Sequence, residues 1–498
     1  MDLAPPQLWT AADASGADRY TMDVLGAPSP VLMERAALCV SAEVEALAAS
    51  SAVRVEVLCG PGNNGGDGLA VARQLWARGY TGVRAVLATA RRNDAAEAQL
   101  ALARAYGVPI VDARAFESGP LGSGSPMILV DALLGTGSRG APRGGVAEAL
   151  AWATSVRAAQ PVQVVAVDVP TGVDVDSGAV SSDAALAAAC TVTFQRSKPG
   201  LHLTPGRALA GRVVVADIGL RARPGLRAAG ELVDPRAVAS WLGGLGSAAH
   251  KGQRGHVGVL AGAAATPGAA LLVSVAALRM GAGLVTLSAR GGKGPLLAPL
   301  VAARPELMLA FEGPEEAPTP GAGVLVVGPG RTDLLTGAGE GAELAQRRAE
   351  LTELDRSDPR PMVWDASGLE FMAWLFGEAR SAGPRVITPH PGEAARCLAM
   401  VEPDAGWTSA RVQADRRAAA RALAERSGAT VVLKGAGTVI AEAEAGTGAR
   451  WAVCPRGSER LATAGSGDVL AGAIAALLAR GLSPWQAAAA GVHVHAVA

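Results

Sequence analysis

Near the far end of the chain, Ala462-Thr463-Ala464-Gly465-Ser466-Gly467-Asp468-Val469-Leu470-Ala471-Gly472 reads as a tight glycine turn running into a helix. Gly465 and Gly467 let the backbone approach a ligand, because no Cβ intervenes. The free N–H groups at the helix start, with its positive dipole end, then offer a place for phosphate or an oxyanion. Asp468 stands in that first turn. As a structural residue it is a favourable cap. Beside an anion hole it can instead take a proton from a hydroxyl that attacks phosphorus. A lone Gly-x-Gly-Asp is a weak signal, and its weight depends on the other chemistry the chain supplies.

A second glycine loop, Gly60-Pro61-Gly62-Asn63-Asn64-Gly65-Gly66-Asp67-Gly68, follows the alternating stretch Val53-Arg54-Val55-Glu56-Val57-Leu58-Cys59 and precedes a helical pattern from Leu69. Strand, glycine loop and helix in that order form the phosphate-binding arrangement of a βαβ unit. The spacing is neither G-x-G-x-x-G nor a Walker loop. The chain has only three asparagines, and two of them, Asn63 and Asn64, sit here. Their amide oxygens could ligate a hard cation and their amide hydrogens could hold phosphate or sugar hydroxyls. The bland reading is an Asx-rich turn. Asp131 ends the apolar run 127–130 and is followed by Gly135-Thr136-Gly137-Ser138-Arg139-Gly140. Asp168 closes the run 163–167, with Pro170-Thr171-Gly172 beyond. Three such loops at strand ends favour a site, since open parallel sheets bind ligands there.

Lysine is scarce too, at four residues: Lys198, Lys251, Lys293 and Lys434. Lys434 follows the apolar run 430–433 and leads Gly435-Ala436-Gly437-Thr438, so contact with a nucleotide's phosphates or ribose is favoured over a solvated charge. His390 lies between Pro389 and Pro391, whose rings fix the backbone and suit a ligand contact. His202, His493 and His495 read as structural, and His250 and His256 stay undecided.

The elements that must position these groups alternate. In the first half, helical spacing over residues 10–50 precedes strands at 53–59, 83–88, 127–130, 163–167 and 212–216, with a helix near 95–106. In the second half, strands are expected at 257–261, 283–288, 324–327, 361–364, 385–387 and 430–433, with helices at 268–280 and 409–427. Both halves therefore predict an α/β fold with a parallel sheet covered on both faces. Residues 221–230, rich in Arg, Gly, Ala and Pro, read as a connection. With 498 residues, two or three domains are expected.

Equal numbers of acidic and basic residues, 45 each, give no sign of a nucleic-acid or anionic-membrane binder. No basic segment followed by an apolar run opens the chain, so no signal peptide is expected. No apolar stretch free of Gly, Pro or charge reaches membrane-span length. Five scattered cysteines without a C-x-x-C predict buried free thiols in a reducing cytoplasm and no cysteine-based zinc site.

Residues 60–68, 130–137 and 167–172, with Leu32-Met33-Glu34 and Lys198-Pro199-Gly200, resemble the epimerase domain that acts on hydrated NADH and NADPH. That resemblance implies a Rossmann-like fold. It implies that Asn63, Asn64, Gly65, Gly66 and Asp67 contact substrate, that Asn64, Asp131 and Thr171 place a potassium ion, and that Gly135, Thr136, Gly137, Ser138, Arg139, Gly140 and Ala141 wrap the substrate phosphates. Asp168 would contact substrate and act as acid–base. The family has Asn where Arg35 stands and Ser where Thr171 stands; the threonine keeps the oxygen.

Lys251-Gly252, Pro267-Gly268-Ala269, Gly328-Pro329-Gly330, His390-Pro391-Gly392-Glu393, residues 434–438 and 462–472 resemble the ribokinase-like, ADP-dependent dehydratase for the same hydrates. Ala269, Gly330, His390 and Asp468 would contact the hydrate, with Asp468 catalytic. Lys434, Gly435, Ala436, Gly437, Thr438 and Gly467 would contact the nucleotide, with Mg2+ bridging phosphates. The family's Asp-Ala-Asp-Ala-Leu-Asn reads Asp365-Ala366-Ser367-Gly368-Leu369-Glu370, and family length implies a further helix beyond Ala498.

The resulting expectation is a bifunctional isomerase and lyase. Residues 1–222 would form the epimerase domain, 223–249 a linker and 250–498 the dehydratase domain. Its partners would be NADHX, NADPHX and ADP, without nucleic acid or membrane, in a cytoplasmic homo-oligomer. The competing reading is a ribokinase-like vitamin or sugar kinase fused to a non-catalytic nucleotide-binding module.

Overall fold

The computed structural model describes residues 6–112, 126–181, 185–226, 230–244, 250–288, 294–311, 319–331, 342–375, 381–444 and 448–498. The chain divides into two compact units, residues 7–230 and residues 231–498 together with the first six.

In the first unit a short strand β1 (Gln7–Leu8) bridges to Ser197. The main sheet contains β2 (Arg54–Cys59), β3 (Val83–Leu87), β4 (Ile110–Asp112), β5 (Met127–Ala132), β6 (Val162–Val167), β7 (Cys190–Phe194) and β8 (Arg212–Ala216). Their order is β4-β3-β2-β5-β6-β7-β8, and every pairing is parallel. The central strands are apolar at successive positions because both faces are covered. Val55, Val57, Val130 and Val165 pack with helices Ser29–Leu47 and Asn63–Ala77. Leu58, Leu129 and Val164 pack on the other face with helix Gly145–Ala159. The strand order reverses between β2 and β5. The crevice at that switch point receives the loops that follow those two strands.

The second unit repeats this plan. Its strands are β9 (Gly230–Leu232), β10 (His256–Leu260), β11 (Leu284–Ser288), β12 (Met308–Ala310), β13 (Val324–Val327), β14 (Met362–Trp364), β15 (Arg385–Ile387), β16 (Thr430–Leu433), β17 (Val439–Glu444) and β18 (Gly448–Val453). They run β9-β18-β17-β16-β15-β14-β13-β10-β11-β12, parallel from β12 to β16. The order reverses between β10 and β13. Helices Gly268–Arg279 and Ser466–Ala479 pack so closely that a Cβ on Gly472 would stand 2.2 Å from the Val273 carbonyl oxygen.

Several expectations change. The second sheet is mixed, because β16, β17 and β18 are antiparallel neighbours. Strand β7 was missed: its Cys-Thr-Val-Thr-Phe sequence looks half-polar, yet Thr191 and Thr193 are wholly buried. The helix expected over 409–427 is two helices, Ser409–Ala414 and Arg416–Ser427, broken at Asp415. The Asp415 carboxylate caps the second one by accepting from Ala418 N at 2.9 Å, a role that suits Asp better than a helix interior. The stretch 223–249 is more than a connection. It carries β9, which pairs with β18, and helix Pro235–Trp241, because Val233 and Val238 are buried in the second unit's core.

Candidate active sites

In the first unit the switch-point crevice is a cavity of about 540 Å³, a size suited to a cofactor-sized ligand. The helix after β2 starts at Asn63, earlier than the pattern from Leu69 suggested. Its first turns supply Asn63, Asn64 and Asp67 to the lining, while the loop after β5 supplies Gly135, Thr136, Gly137 and Ser138. Asp168 enters from the end of β6. Gly65 and Gly66 lie behind the wall. A Cβ on Gly65 would stand 1.9 Å from the Gly60 carbonyl oxygen, so only glycine lets the loop fold onto itself. Arg139, Gly140 and Ala141 lie on an exposed stretch outside the lining.

Asp168 has φ +67, a left-handed conformation that turns its carboxylate back under the loops. Burial alone would raise its carboxyl. The Lys198 ammonium at 2.7 Å and the hydroxyls of Thr136 and Thr193 outweigh burial and hold it below the ordinary value. Lys198 also donates to Thr193 Oγ1 at 2.8 Å and to the Phe194 carbonyl at 3.0 Å, so all three ammonium hydrogens are used. Two more carboxyls face the cavity. Burial pushes the Asp67 carboxyl well above the ordinary range, with Asp168 and Asp18 adding repulsion. Asp18, from helix Ala11–Arg19, is pushed to about 6 by burial and Asp168, with Lys198 opposing.

Behind the cavity, Thr171 donates to Asp131 from its hydroxyl at 2.7 Å and from its backbone amide at 2.8 Å. Asp131 is fully buried, and burial raises its carboxyl. Asn64 Nδ2 is buried without a hydrogen-bond partner. Asn93 caps helix Asp94–Ala105 and donates to Asn63 Oδ1 at 2.7 Å, so Asn63 and Asn93 tie the two helix starts together.

Arg35 lies away from these groups and reaches the Asp217 carbonyl at 3.4 Å. His202 is buried against Ser197 at 2.7 Å.

In the second unit the predicted groups sit at the carboxyl ends of successive strands. The loops after β10 and β13 are joined by Gly262 N to the Pro329 carbonyl (2.8 Å) and by Thr266 Oγ1 to the Gly330 carbonyl (2.5 Å). Ala269 and Gly330 touch there: a Cβ on Gly330 would stand 2.6 Å from that of Ala269. Asp365 follows β14, His390 lies beyond β15, and Lys434 follows β16. The Lys434 ammonium donates to Asp365 Oδ1 at 2.6 Å and lies 3.8 Å from Glu393. Burial would weaken that ammonium, but Asp365 and Glu393 outweigh it and hold it charged.

The helix Ser466–Ala479 begins after Gly465, φ +84. A Cβ on Gly467 would stand 3.1 Å from Lys434 Nζ and 3.7 Å from Asp365 Oδ2. Val469 N is bonded back to the Gly465 carbonyl at 3.1 Å, so the amides of Gly467 and Asp468 precede the intrahelical ladder. The half-buried Asp468 carboxyl is pushed up to about 6 by burial and by Asp365, with Lys434 opposing.

His390 caps helix Pro391–Val401 through Nδ1, which accepts from Gly392 N at 3.0 Å. Its outer edge is exposed.

The loop 434–438 is held by a residue the sequence did not flag. Buried Arg416 donates to the carbonyls of Leu433 and Lys434, both at 2.9 Å, and of Ala436 at 3.0 Å. Gly435 has φ +141, and a Cβ there would stand 2.6 Å from the Arg416 guanidinium. Two other groups were named in the sequence without a site role. Lys198 was marked by lysine scarcity, and Asp365 by its place at a strand end. His495, read as structural, lies 3.4 Å from Ser466 Oγ at the start of the Asp468 helix.

All five cysteines are free, and four of them are buried. Among the described residues no helix is long and apolar enough to cross a membrane.

A family model described as the YjeF-related protein N-terminus matches residues 29–200, and one described as NAD(P)H-hydrate dehydratase matches residues 257–498. The bifunctional NAD(P)H-hydrate repair enzyme Nnr of Escherichia coli (strain K12) is 35% identical, with 99% of this chain and 89% of that protein covered. The protein of the same name from Coxiella burnetii (strain RSA 493 / Nine Mile phase I) is 36% identical, with 90% and 85% covered. Among solved structures, the ADP/ATP-dependent NAD(P)H-hydrate dehydratase from Bacillus subtilis, co-crystallised with ATP/Mg2+, is 26% identical. It covers 53% of this chain and 87% of its own, with a TM-score of 0.41.

Proposed function

This chain belongs to the family of bifunctional NAD(P)H-hydrate repair enzymes, and from that premise we propose how its two units divide the work. The unit holding Asp168 interconverts the two epimers of hydrated NADH and NADPH. The unit holding Asp468 removes the elements of water from the S epimer with ADP as co-substrate, giving NAD(P)H, AMP and phosphate. The observation that carries the second assignment is the meeting of Asp468, the first amides of its helix and the Lys434–Asp365 pair at one sheet edge.

The hydrate's hydroxyl is a poor leaving group. Asp468 takes its proton while the oxygen attacks the terminal phosphorus of ADP and AMP departs. The amides of Gly467 and Asp468 and the Lys434 ammonium stabilise charge on the transferring group. The phosphate ester then leaves the ring carbon as the neighbouring carbon loses a proton, which restores the reduced nicotinamide. A carboxyl that titrates near 6 is well matched to a general base at neutral pH. Ala269, Gly330 and the exposed edge of His390 would contact the hydrate. Residues 434–438 would contact the nucleotide. Mg2+ would ride on the nucleotide phosphates with few protein ligands, and its chemistry is charge neutralisation there.

In the epimerase unit, the buried Asp131 carboxylate accepts from the Thr171 hydroxyl and backbone amide, and Asn64 would turn its amide oxygen toward the same ion. This oxygen-rich set fits potassium, which would supply the missing positive charge and fix the loop after β2. Asn63, Asn64, Asp67 and Thr136 to Ser138 would hold the substrate. Asp168 would act on it. We read it as a cytoplasmic homo-oligomer that works on small molecules.

The test uses purified protein with separated R and S hydrates, ADP or ATP, and Mg2+. Regained NADH absorbance with AMP and phosphate from the S hydrate is expected. A stable phosphorylated product would instead make this half a small-molecule kinase. Without nucleotide, R and S should interconvert faster in K+ than in Na+, and Asp131→Asn should abolish that preference.

A further inference from the structure

We propose that Asp18 is the general acid of the epimerase unit, acting in the same cavity as Asp168. This rests on the epimerase reading and deepens it.

Asp18 and Asp168 line the same cavity and come from different elements. Asp168 stands at the carboxyl edge of the sheet with Lys198, and Asp18 belongs to the helix Ala11–Arg19 that borders the opening. That helix is pinned at both ends. Ala11 N donates to Asp176 Oδ1 at 2.8 Å. Just past Asp18 the chain widens into a π-helical turn, Tyr20–Val24, in which the buried Thr21 hydroxyl accepts from Arg221 N at 2.9 Å. Such turns inside helices are frequent at functional sites, and pinned helices hold a reacting group better than loops do. The cavity also contains a second sign of a ligand: Asp67 is more than nine-tenths buried, lines the space and has no cationic partner among the described residues.

The charges divide the labour. Facing Asp18 are Asp168, Lys198 and Asp67. Lys198 sits 2.7 Å from Asp168 and keeps that group ionised. Burial first, and then the Asp168 charge against the opposing Lys198, let Asp18 keep its proton up to about pH 6. Two carboxyls driven apart in this way make an acid–base pair.

The hydrate carbon that inverts carries the hydroxyl and the ring nitrogen. Asp18 gives its proton to the hydroxyl oxygen, the C–O bond breaks with its electron pair on oxygen, and water forms. The nitrogen lone pair makes a C=N+ bond. Water then adds to the opposite face, the π pair returns to nitrogen, and the added water's proton passes to Asp168. Proton exchange with solvent resets both carboxyls, so no oxidant or co-reactant is needed.

The test measures R–S interconversion without nucleotide across pH. In the parent, the rate should fall as pH rises through about 6. Asp18→Asn should lower it by about 100-fold or more and abolish that limb, with hydrate Kd and the unfolding midpoint kept. Asp18→Glu should recover part of the rate. Asp18→Asn within about threefold of the parent, with the limb intact, overturns the proposal alone, as does loss of the limb in Asp67→Asn instead. If Asp18→Asn lowers the midpoint, Asp18→Glu decides, because a folded Glu variant without recovery overturns the assignment. A parent that interconverts no epimers overturns the epimerase reading itself.

Discussion

The two units use one strand plan twice. Each sheet reverses its order once, between β2 and β5 in one and between β10 and β13 in the other. Each puts a strand-end aspartate against a scarce lysine, Asp168–Lys198 at 2.7 Å and Asp365–Lys434 at 2.6 Å. Each places a further carboxyl nearby whose proton is held to about pH 6, Asp18 and Asp468. The difference lies in depth and in the anion cradle. Lys198 is 2% exposed and spends its hydrogens on protein oxygens, whereas Lys434 is 19% exposed. Only the second unit sets its poised carboxyl on the first turn of a helix, where free amides can meet a phosphoryl group. The same pairing thus serves proton shuttling in a cavity and phosphoryl chemistry at a helix start.

The sharpest break between the two is Asp468→Asn. It should cost dehydration about a thousandfold and leave epimer interconversion at the parent rate. A loss of only a few-fold would reduce Asp468 to a cap. Next come the lysines. Lys198→Met strands a buried carboxylate and should destabilise its unit by about 3–5 kcal/mol. Lys434→Met, nearer solvent, should cost clearly less, and equal losses in denaturant titrations would erase the difference in depth.

The pH profiles should have opposite signs. Dehydration, which needs Asp468 ionised, should be lost as pH falls through about 6, and parallel profiles for the two activities would contradict the acid and base assignments. Stability follows the same carboxyls. Asp18 and Asp468 are raised in the folded state, so each contributes stability that is complete below the ordinary 3.8 and lost as pH rises through about 6. The smallest effect is Gly435→Ala. The φ of +141 and the Arg416 collision should cost about 1–3 kcal/mol and raise the nucleotide KM, with epimerisation unchanged.

Much of this was legible in the chain. Apolar runs ending in Asp, Asn or Gly marked the strand ends, because a strand leaving a buried sheet must change to polar, turn-forming residues at its edge. Scarcity of Asn and Lys singled out Asn63, Asn64 and Lys434. Strand β7 stayed hidden because its threonines look like surface residues, although Thr193 is buried to hydrogen-bond Asp168. The break at Asp415 was hidden because helical spacing continues across it.

By itself the sequence determined what is local: strands, glycine turns, helix starts and which rare side chains stand beside them. Only the tertiary structure decided which charges meet. Asp18 lies 150 residues before Asp168, and Asp365 lies 69 before Lys434. Spacing along a chain carries no trace of such encounters. The order of strands in each sheet brings these groups to one edge, and burial there, by removing water's screening, gives each carboxyl a different hold on its proton.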